Sequence, residues 1–198
     1  MISSTRRSAV CLFVFVVSIL QAAPPVPAVT ILIQTELGDI EAELDPAHAP
    51  VTTANFLRYV DAGLYEEGLI HRTVRPDNQP NSPIKIEVIQ GGRDPKKKGF
   101  EAVPLERTSI TGLRHRDGTL SMARSGVDTA TSDFFICIGD QPSLDLGGLR
   151  NPDGQGFAAF GQVTKGMDLV RKIQARAADE KQKLTPPVRI LNVVRVKR

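Results

Sequence analysis

From Val29 onward the sequence keeps returning to one device: a short run of alternating apolar and polar residues, bounded by Gly, Pro, Asp or Asn. A period of two sends successive side chains to opposite faces of a strand, so such runs describe sheets with one buried face. VTILIQT (Val29–Thr35) and IEAEL (Ile40–Leu44) flank Gly38-Asp39, a hairpin signal. In the second run Ile40, Ala42 and Leu44 face one way and Glu41 and Glu43 the other. Further strands are expected near Leu69–Val74, Ile84–Gln90, Gly118–Ala123, Phe134–Ile138, Phe157–Val163 and Val188–Lys197. Only two stretches switch to a helical period. Pro50–Ala62 starts on Pro50, which suits a first turn, and repeats Phe56, Leu57, Val60 and Leu64. Gly166–Ala177 aligns Leu169, Val170, Ile173 and Ala177. Many short strands with two helices and turn-rich links predict a mainly β fold, a closed antiparallel barrel capped by helices. No repeat or linker divides residues 29–198, which read as one domain.

The segment before it has a different character. Arg6 and Arg7 precede Ala9–Leu20 (AVCLFVFVVSIL), a run without charge, and Pro24, Pro25 and Pro27 follow. A short basic region, a short apolar run and small residues are the parts of a secretory signal, here residues 1–28, with cleavage after Ala22 or Ala28. The run falls short of the roughly 20 apolar residues a membrane span needs, so no stable anchor is expected once the signal is removed. An exported protein, periplasmic or secreted, is the expectation, as a monomer. Without Arg6 and Arg7 the 25 basic residues become 23 against 22 acidic ones, too balanced for nucleic-acid binding. Cys137 is then the single cysteine, so no intrachain disulfide forms.

Common catalytic signatures are absent: there is no G-x-S-x-G, P-loop, H-E-x-x-H or strand-borne G-x-G-x-x-G. His48, His71 and His115 are scattered and read as surface or structural residues, so no metal site is expected. Lys96–Lys98 reads as a solvated loop, and Asp153-Gly154-Gln155-Gly156 as a turn without the acidic ligands of a calcium loop.

Six phrases in one order carry more information. They are LIHRTV (Leu69–Val74), VIQGG (Val88–Gly92), GTLSMAR (Gly118–Arg124), DTATSDFFICIGD (Asp128–Asp140), LD (Leu144–Asp145) and FAAFGQVTKGMDLV (Phe157–Val170). Together they resemble the cyclophilin family of peptidyl-prolyl cis-trans isomerases, and SMAR and TATSDFFI are similar to its bacterial exported branch. The resemblance implies an eight-stranded antiparallel barrel with a helix over each end and an active groove on the outer surface. It implies proline-containing polypeptides as substrates and no cofactor.

On the same resemblance, Arg72 matches the catalytic arginine and Gln90 the glutamine that binds substrate backbone and orients it. Val88, Phe135, Leu144 and Phe157 match the proline pocket, and His71, Arg124 and Asp133 complete the substrate-binding set. Strand parity agrees: Ile86, Val88 and Gln90 share one face, and Phe135 shares another with Asp133 while Phe134 and Ile136 turn to the core. The chain also departs from the family pattern. RPDNQPNSP (Arg75–Pro83) is inserted between the HR and QGG phrases and is expected to border the groove. Glu87 stands where a pocket phenylalanine is expected. Asp133 replaces a glutamine and is placed to pair with Arg72. Ser143 replaces the tryptophan that many members use to bind cyclosporin. These departures keep one alternative in view, a proline-peptide-binding module of the same fold without turnover. An unrelated exported ligand-carrying barrel is the other, and short strands argue for a filled interior against it.

Overall fold

The first hairpin sets the pattern of the barrel in this computed structural model, which describes residues 26–196. Strands β1 (Val29–Thr35) and β2 (Gly38–Leu44) pair antiparallel, with Ile33 opposite Ile40 and Ile31 opposite Ala42. The turn is Glu36-Leu37, two residues earlier than the Gly38-Asp39 signal suggests. Gly38 is instead the first paired residue, opposite Thr35, at φ +132°. Ile40, Ala42 and Leu44 are wholly buried, as the alternation predicts. Burying a side chain the size of Ile40 or Leu44 contributes roughly 1.5–3 kcal/mol, so the period-two pattern fixes which face turns inward.

The remaining strands are β3 (Gly68–Val74), β4 (Val88–Gly92), β5 (Thr119–Met122), β6 (Phe134–Cys137), β7 (Ala158–Lys165) and β8 (Lys183–Arg195). They close in the order β1-β2-β7-β5-β6-β4-β3-β8, every pairing antiparallel. The interior is packed with side chains from all around the ring, Ile31, Ile70, Ile89, Leu120, Phe134, Phe160 and Val193 among them. Phe56, Tyr65, Phe134 and Phe160 stack at ring separations of 5.0–5.6 Å around Phe56.

Helix α1 (Pro50–Asp61) takes Pro50 in its first turn and adds Phe56, Leu57 and Val60 to this core. It lacks a side-chain cap of its own. Glu106 substitutes, accepting from Val51 N at 3.0 Å and Thr52 N at 2.7 Å, which satisfies two of the orphan N–H groups. A one-turn helix, α2 (Thr108–Thr111), is a third helical element beyond the two expected; it ends on Gly112 in the left-handed region at φ +72°. Helix α3 (Met167–Gln174) is shorter than the apolar repeat suggests and buries Val170 and Ile173.

Two strand boundaries also differ from expectation. Residues Ile84–Glu87 are not in a strand, because side chains meet their backbone groups. Gln79 Oε1 accepts from Ile86 N at 3.3 Å and Gln79 Nε2 donates to Ile86 O at 2.8 Å, while Gln141 Oε1 accepts from Glu87 N. β8 begins at Lys183, five residues before the expected start, where it pairs with Arg72. Lys197 and nearly all of the secretory-signal segment lie outside the described residues. No helix among the described residues is long and apolar enough to cross a membrane.

Candidate active site

A second apolar cluster lies apart from the barrel core: Val74, Ile86, Val88, Phe135, Cys137 and Leu144, with Ala123 and Phe157 packed against it. Parity produces it. On β4 Ile89 enters the core while Val88 turns outward; on β6 Phe134 and Ile136 enter while Phe135 and Cys137 turn outward. Every residue of β6 is nonetheless buried, with the rings of His115 and Phe157 against the outward Phe135. Most of these side chains floor a groove of about 1000 Å³.

Phe135 is the centre of that floor. Its ring meets Phe157 edge-on at 5.4 Å and stacks on His115 at 5.9 Å. His115 is itself fixed, with Nδ1 2.7 Å from Asp145 Oδ1 and Nε2 2.9 Å from Ser121 Oγ. This Asp-His-Ser series is buried beneath Phe135, so Ser121 is out of reach of a substrate and the series serves to hold the floor. Burial alone would raise the pKa of Asp145, but hydrogen bonds from the His115 side chain and backbone, with the His115 and Arg114 charges, hold it below the usual value.

Arg72 reaches the groove through a register change. Ile70 pairs with Gly91 and Arg72 with Gln90, consecutive residues on β4, so His71 is an extra residue bulged out of the ladder. Strict alternation would put Arg72 on the inward face with Ile70; the bulge turns it outward with Val74. Once there, Nη1 donates to Gln90 Oε1 at 2.9 Å. Nε and Nη2 donate to Gln182 Oε1 at 3.2 and 2.6 Å. Both partners are neutral amides, so the positive charge is unspent. Burial first, then the charge of Arg150, lowers the pKa of Arg72 from its ordinary value, and the group stays cationic in water.

The structure brings Arg72, Gln90, Val88, Arg124, Asp133, Phe135, Leu144 and Phe157 to the groove; His71 is not on its lining. Asp133 does not pair with Arg72. It accepts from Gln90 Nε2 at 3.4 Å and lies 3.6 Å from His71 Nε2, so Gln90 stands between the two charges. Arg124 forms part of the wall with its guanidinium already engaged. It holds Asp153 through two hydrogen bonds at 2.7 and 3.0 Å and crosses the Phe157 ring at 5.1 Å. That hydrogen bonding draws Asp153 down to about 2. Glu87 is no pocket residue either: Gln174 Nε2 donates to its carboxylate at 3.0 Å, and Ile86 lines the groove in its place.

Sequence reasoning misses Gln182 and Arg150. Gln182 is 110 residues from Arg72 and arrives through the β3–β8 pairing. Arg150 lies in the loop before β7 and tethers the Arg75–Pro83 insertion, donating from Nη1 to Ser82 Oγ at 2.6 Å and Ile84 O at 2.7 Å. Asn78, Gln79, Pro80 and Ser82 of that insertion line the groove without filling it. No group of three or more metal-ligating side chains occurs among the described residues.

A family model described as cyclophilin type peptidyl-prolyl cis-trans isomerase/CLD matches residues 30–195. The chain belongs to the cyclophilin family. Among curated relatives, peptidyl-prolyl cis-trans isomerase A of Dickeya dadantii is 38% identical over 167 residues, covering 81% of this chain and 80% of its own. Peptidyl-prolyl cis-trans isomerase B of Escherichia coli is 32% identical over 145 residues, covering 72% and 82%. A crystal structure of a Cryptosporidium parvum cyclophilin type peptidyl-prolyl cis-trans isomerase superposes with a TM-score of 0.70 at 24% identity, over 87% of this chain and 99% of that one. The shared architecture is the closed eight-stranded barrel. As a cyclophilin the chain is a peptidyl-prolyl cis-trans isomerase.

Proposed function

We propose that this cyclophilin accelerates rotation about X-Pro bonds in exported polypeptides, by a non-covalent mechanism centred on Arg72. The observation that carries the reading is a cationic donor held by two neutral amide oxygens at the edge of an apolar groove. Rotation must break amide resonance, a barrier of roughly 18–20 kcal/mol, and uncatalysed exchange takes tens to hundreds of seconds. The cluster of Val88, Phe135, Leu144 and Phe157 suits a proline ring. As the amide twists, its nitrogen regains a basic lone pair, and an Arg72 N–H directed at it binds the twisted state more strongly than the planar one. That difference, rather than tight binding of the planar substrate, lowers the barrier. No covalent bond forms or breaks, and no proton leaves the peptide.

A C. parvum cyclophilin of the same fold was crystallised in the presence of the dipeptide Ala-Pro, which supports a proline-containing ligand for this chain. The export assignment rests on Arg6, Arg7 and the uncharged Ala9–Leu20 run. A prolyl-peptide isomerisation assay tests the mechanism: Arg72→Ala should lower kcat/KM about 100–1,000-fold. Arg72→Lys should rescue little, since a point charge cannot keep the guanidinium fork between Gln90 and Gln182. Activity of Arg72→Ala equal to that of the unaltered chain overturns it. N-terminal sequencing of the protein from cell fractions tests export, with a start at Ala23 or Val29 expected and an intact Met1 opposing it.

A further inference from the structure

The groove continues past the apolar floor to an end built by two loops, the Arg75–Pro83 insertion and the segment containing Leu149, Arg150 and Pro152. Six charged side chains line the whole groove: Arg72, Arg93, Arg124, Arg150, Asp133 and Glu180. Their pairing is uneven. Arg124 is matched by Asp153, and Asp133 lies against Gln90 and His71. Arg72, Arg93 and Arg150 have no carboxylate within ion-pair distance among the described residues; each donates to neutral oxygens. Arg150 spends Nη1 on Ser82 Oγ and Ile84 O. Its Nε–H and Nη2–H groups make no hydrogen bond among the described residues.

Arg72 and Arg150 are partly buried with only neutral hydrogen-bond partners, and the four lining arginines outnumber the two lining carboxylates, Asp133 and the exposed Glu180, so the groove is net positive. Burial lowers the pKa of Arg150, and burial together with the charge of Arg150 lowers that of Arg72. The geometry points to a subsite for a carboxylate side chain at this end of the groove, with Arg150 as its chief contact, so that preferred substrates carry Asp or Glu close to the proline. The inference rests on the prolyl-isomerase reading of the groove and adds the substrate class. A carboxylate is the fitting partner because a guanidinium offers paired N–H donors in a planar fork, and charge-assisted bonds of this kind are the strong ones.

The test uses blocked peptides that differ only in Glu or Gln at positions flanking an Ala-Pro pair. Both kcat/KM and the dissociation constant are measured with the full-length protein. A neutral peptide ending in a free proline carboxylate separates a chain-terminal carboxylate from a side-chain one. Glu peptides should exceed their Gln counterparts by about tenfold in kcat/KM, with a matching gain in affinity. The preference should shrink in high salt, where the Debye length falls to about 3 Å at 1 M. Arg150→Gln should abolish it, and Arg150→Lys, which keeps the charge should the tether loosen, should retain part. Equal handling of Glu and Gln peptides overturns the subsite, as does a preference that survives Arg150→Gln or one shown only by the free-carboxylate peptide. A protein that isomerises no peptide yet binds Glu peptides more tightly than Gln ones overturns the catalytic mechanism and upholds the subsite.

Discussion

Gln182 Oε1 accepts from both Nε and Nη2 of Arg72, at 3.2 and 2.6 Å, while Gln182 Nε2 donates to Asn78 O at 2.9 Å. The arginine is thus tied to the β3–β8 edge and, through Asn78, to the inserted loop. Gln182 sits at φ +68°, in a turn closed by Gln182 N donating to Asp179 O. Gln182→Ala should reduce kcat by about tenfold to a hundredfold, since misplacement of a catalytic group by about 1 Å costs that much. KM should hardly move, because the apolar floor is untouched. Steady-state kinetics check this; unchanged kcat would remove Gln182 from the positioning of Arg72.

The core and the groove are separate clusters, so they are separately mutable. Phe56 is wholly buried among Tyr65, Phe134 and Phe160. Phe56→Ala should destabilise the fold by about 3–5 kcal/mol. The folded fraction should keep its kcat/KM. Urea denaturation and kinetics below the transition separate the two, and a large kinetic loss in fully folded protein would join the clusters.

Acid should loosen the pocket floor through Asp145. Its pKa is depressed in the folded state, so its contribution is fully present above the unfolded value of about 3.9 and is lost as pH falls through the folded value. Unfolding free energy should therefore decline below about pH 4, and Asp145→Asn should flatten that decline while lowering stability at pH 7. Parallel acid profiles for the two proteins would exclude Asp145 as a source.

Cys137 is buried beneath the groove, and burial, reinforced by the charges of Asp145, Asp117 and Asp140, pushes its thiol pKa far up. Thiolate is the reactive form, so a thiol reagent should leave the native protein unmodified at Cys137 and label it in denaturant. Mass spectrometry of the tryptic peptide reports this directly. Rapid labelling of the folded chain would show that the floor opens.

Ser143 lies in a 3₁₀ turn (Pro142–Leu144) and does not line the groove. The tryptophan surface expected to hold cyclosporin is missing at this position, so inhibition should be weak. A competition curve in the isomerisation assay checks it, and nanomolar inhibition would show that another surface substitutes.

The alternation around Ile40, Ala42 and Leu44 and the parity of Phe134 and Phe135 were legible because they are local: they depend on neighbours two residues away. Boundaries near Ile84 were not, because the Gln79 side chain takes the hydrogen bonds a strand would make. Glu87 shows the same limit. Its position in the phrase suggests a pocket wall, but Glu87 meets Gln174, and Ile86, on the face that parity gives to Val88 and Gln90, lines the groove.

The mainly β class, the inward faces of the strands and the order of phrases that marks a cyclophilin are all written in the linear chain. All of these follow from periodicity and from residue identity in linear order. The tertiary structure decided where Arg72 points. Alternation assigns it to the interior with Ile70, and the bulge at His71, fixed by pairing with β4 and β8, turns it outward. It also decided what Arg72 meets: Gln182, distant in sequence, reaches it through barrel closure, and Arg150 lines the same groove from a loop before β7. A register is a property of two strands together, so no single strand's sequence contains it.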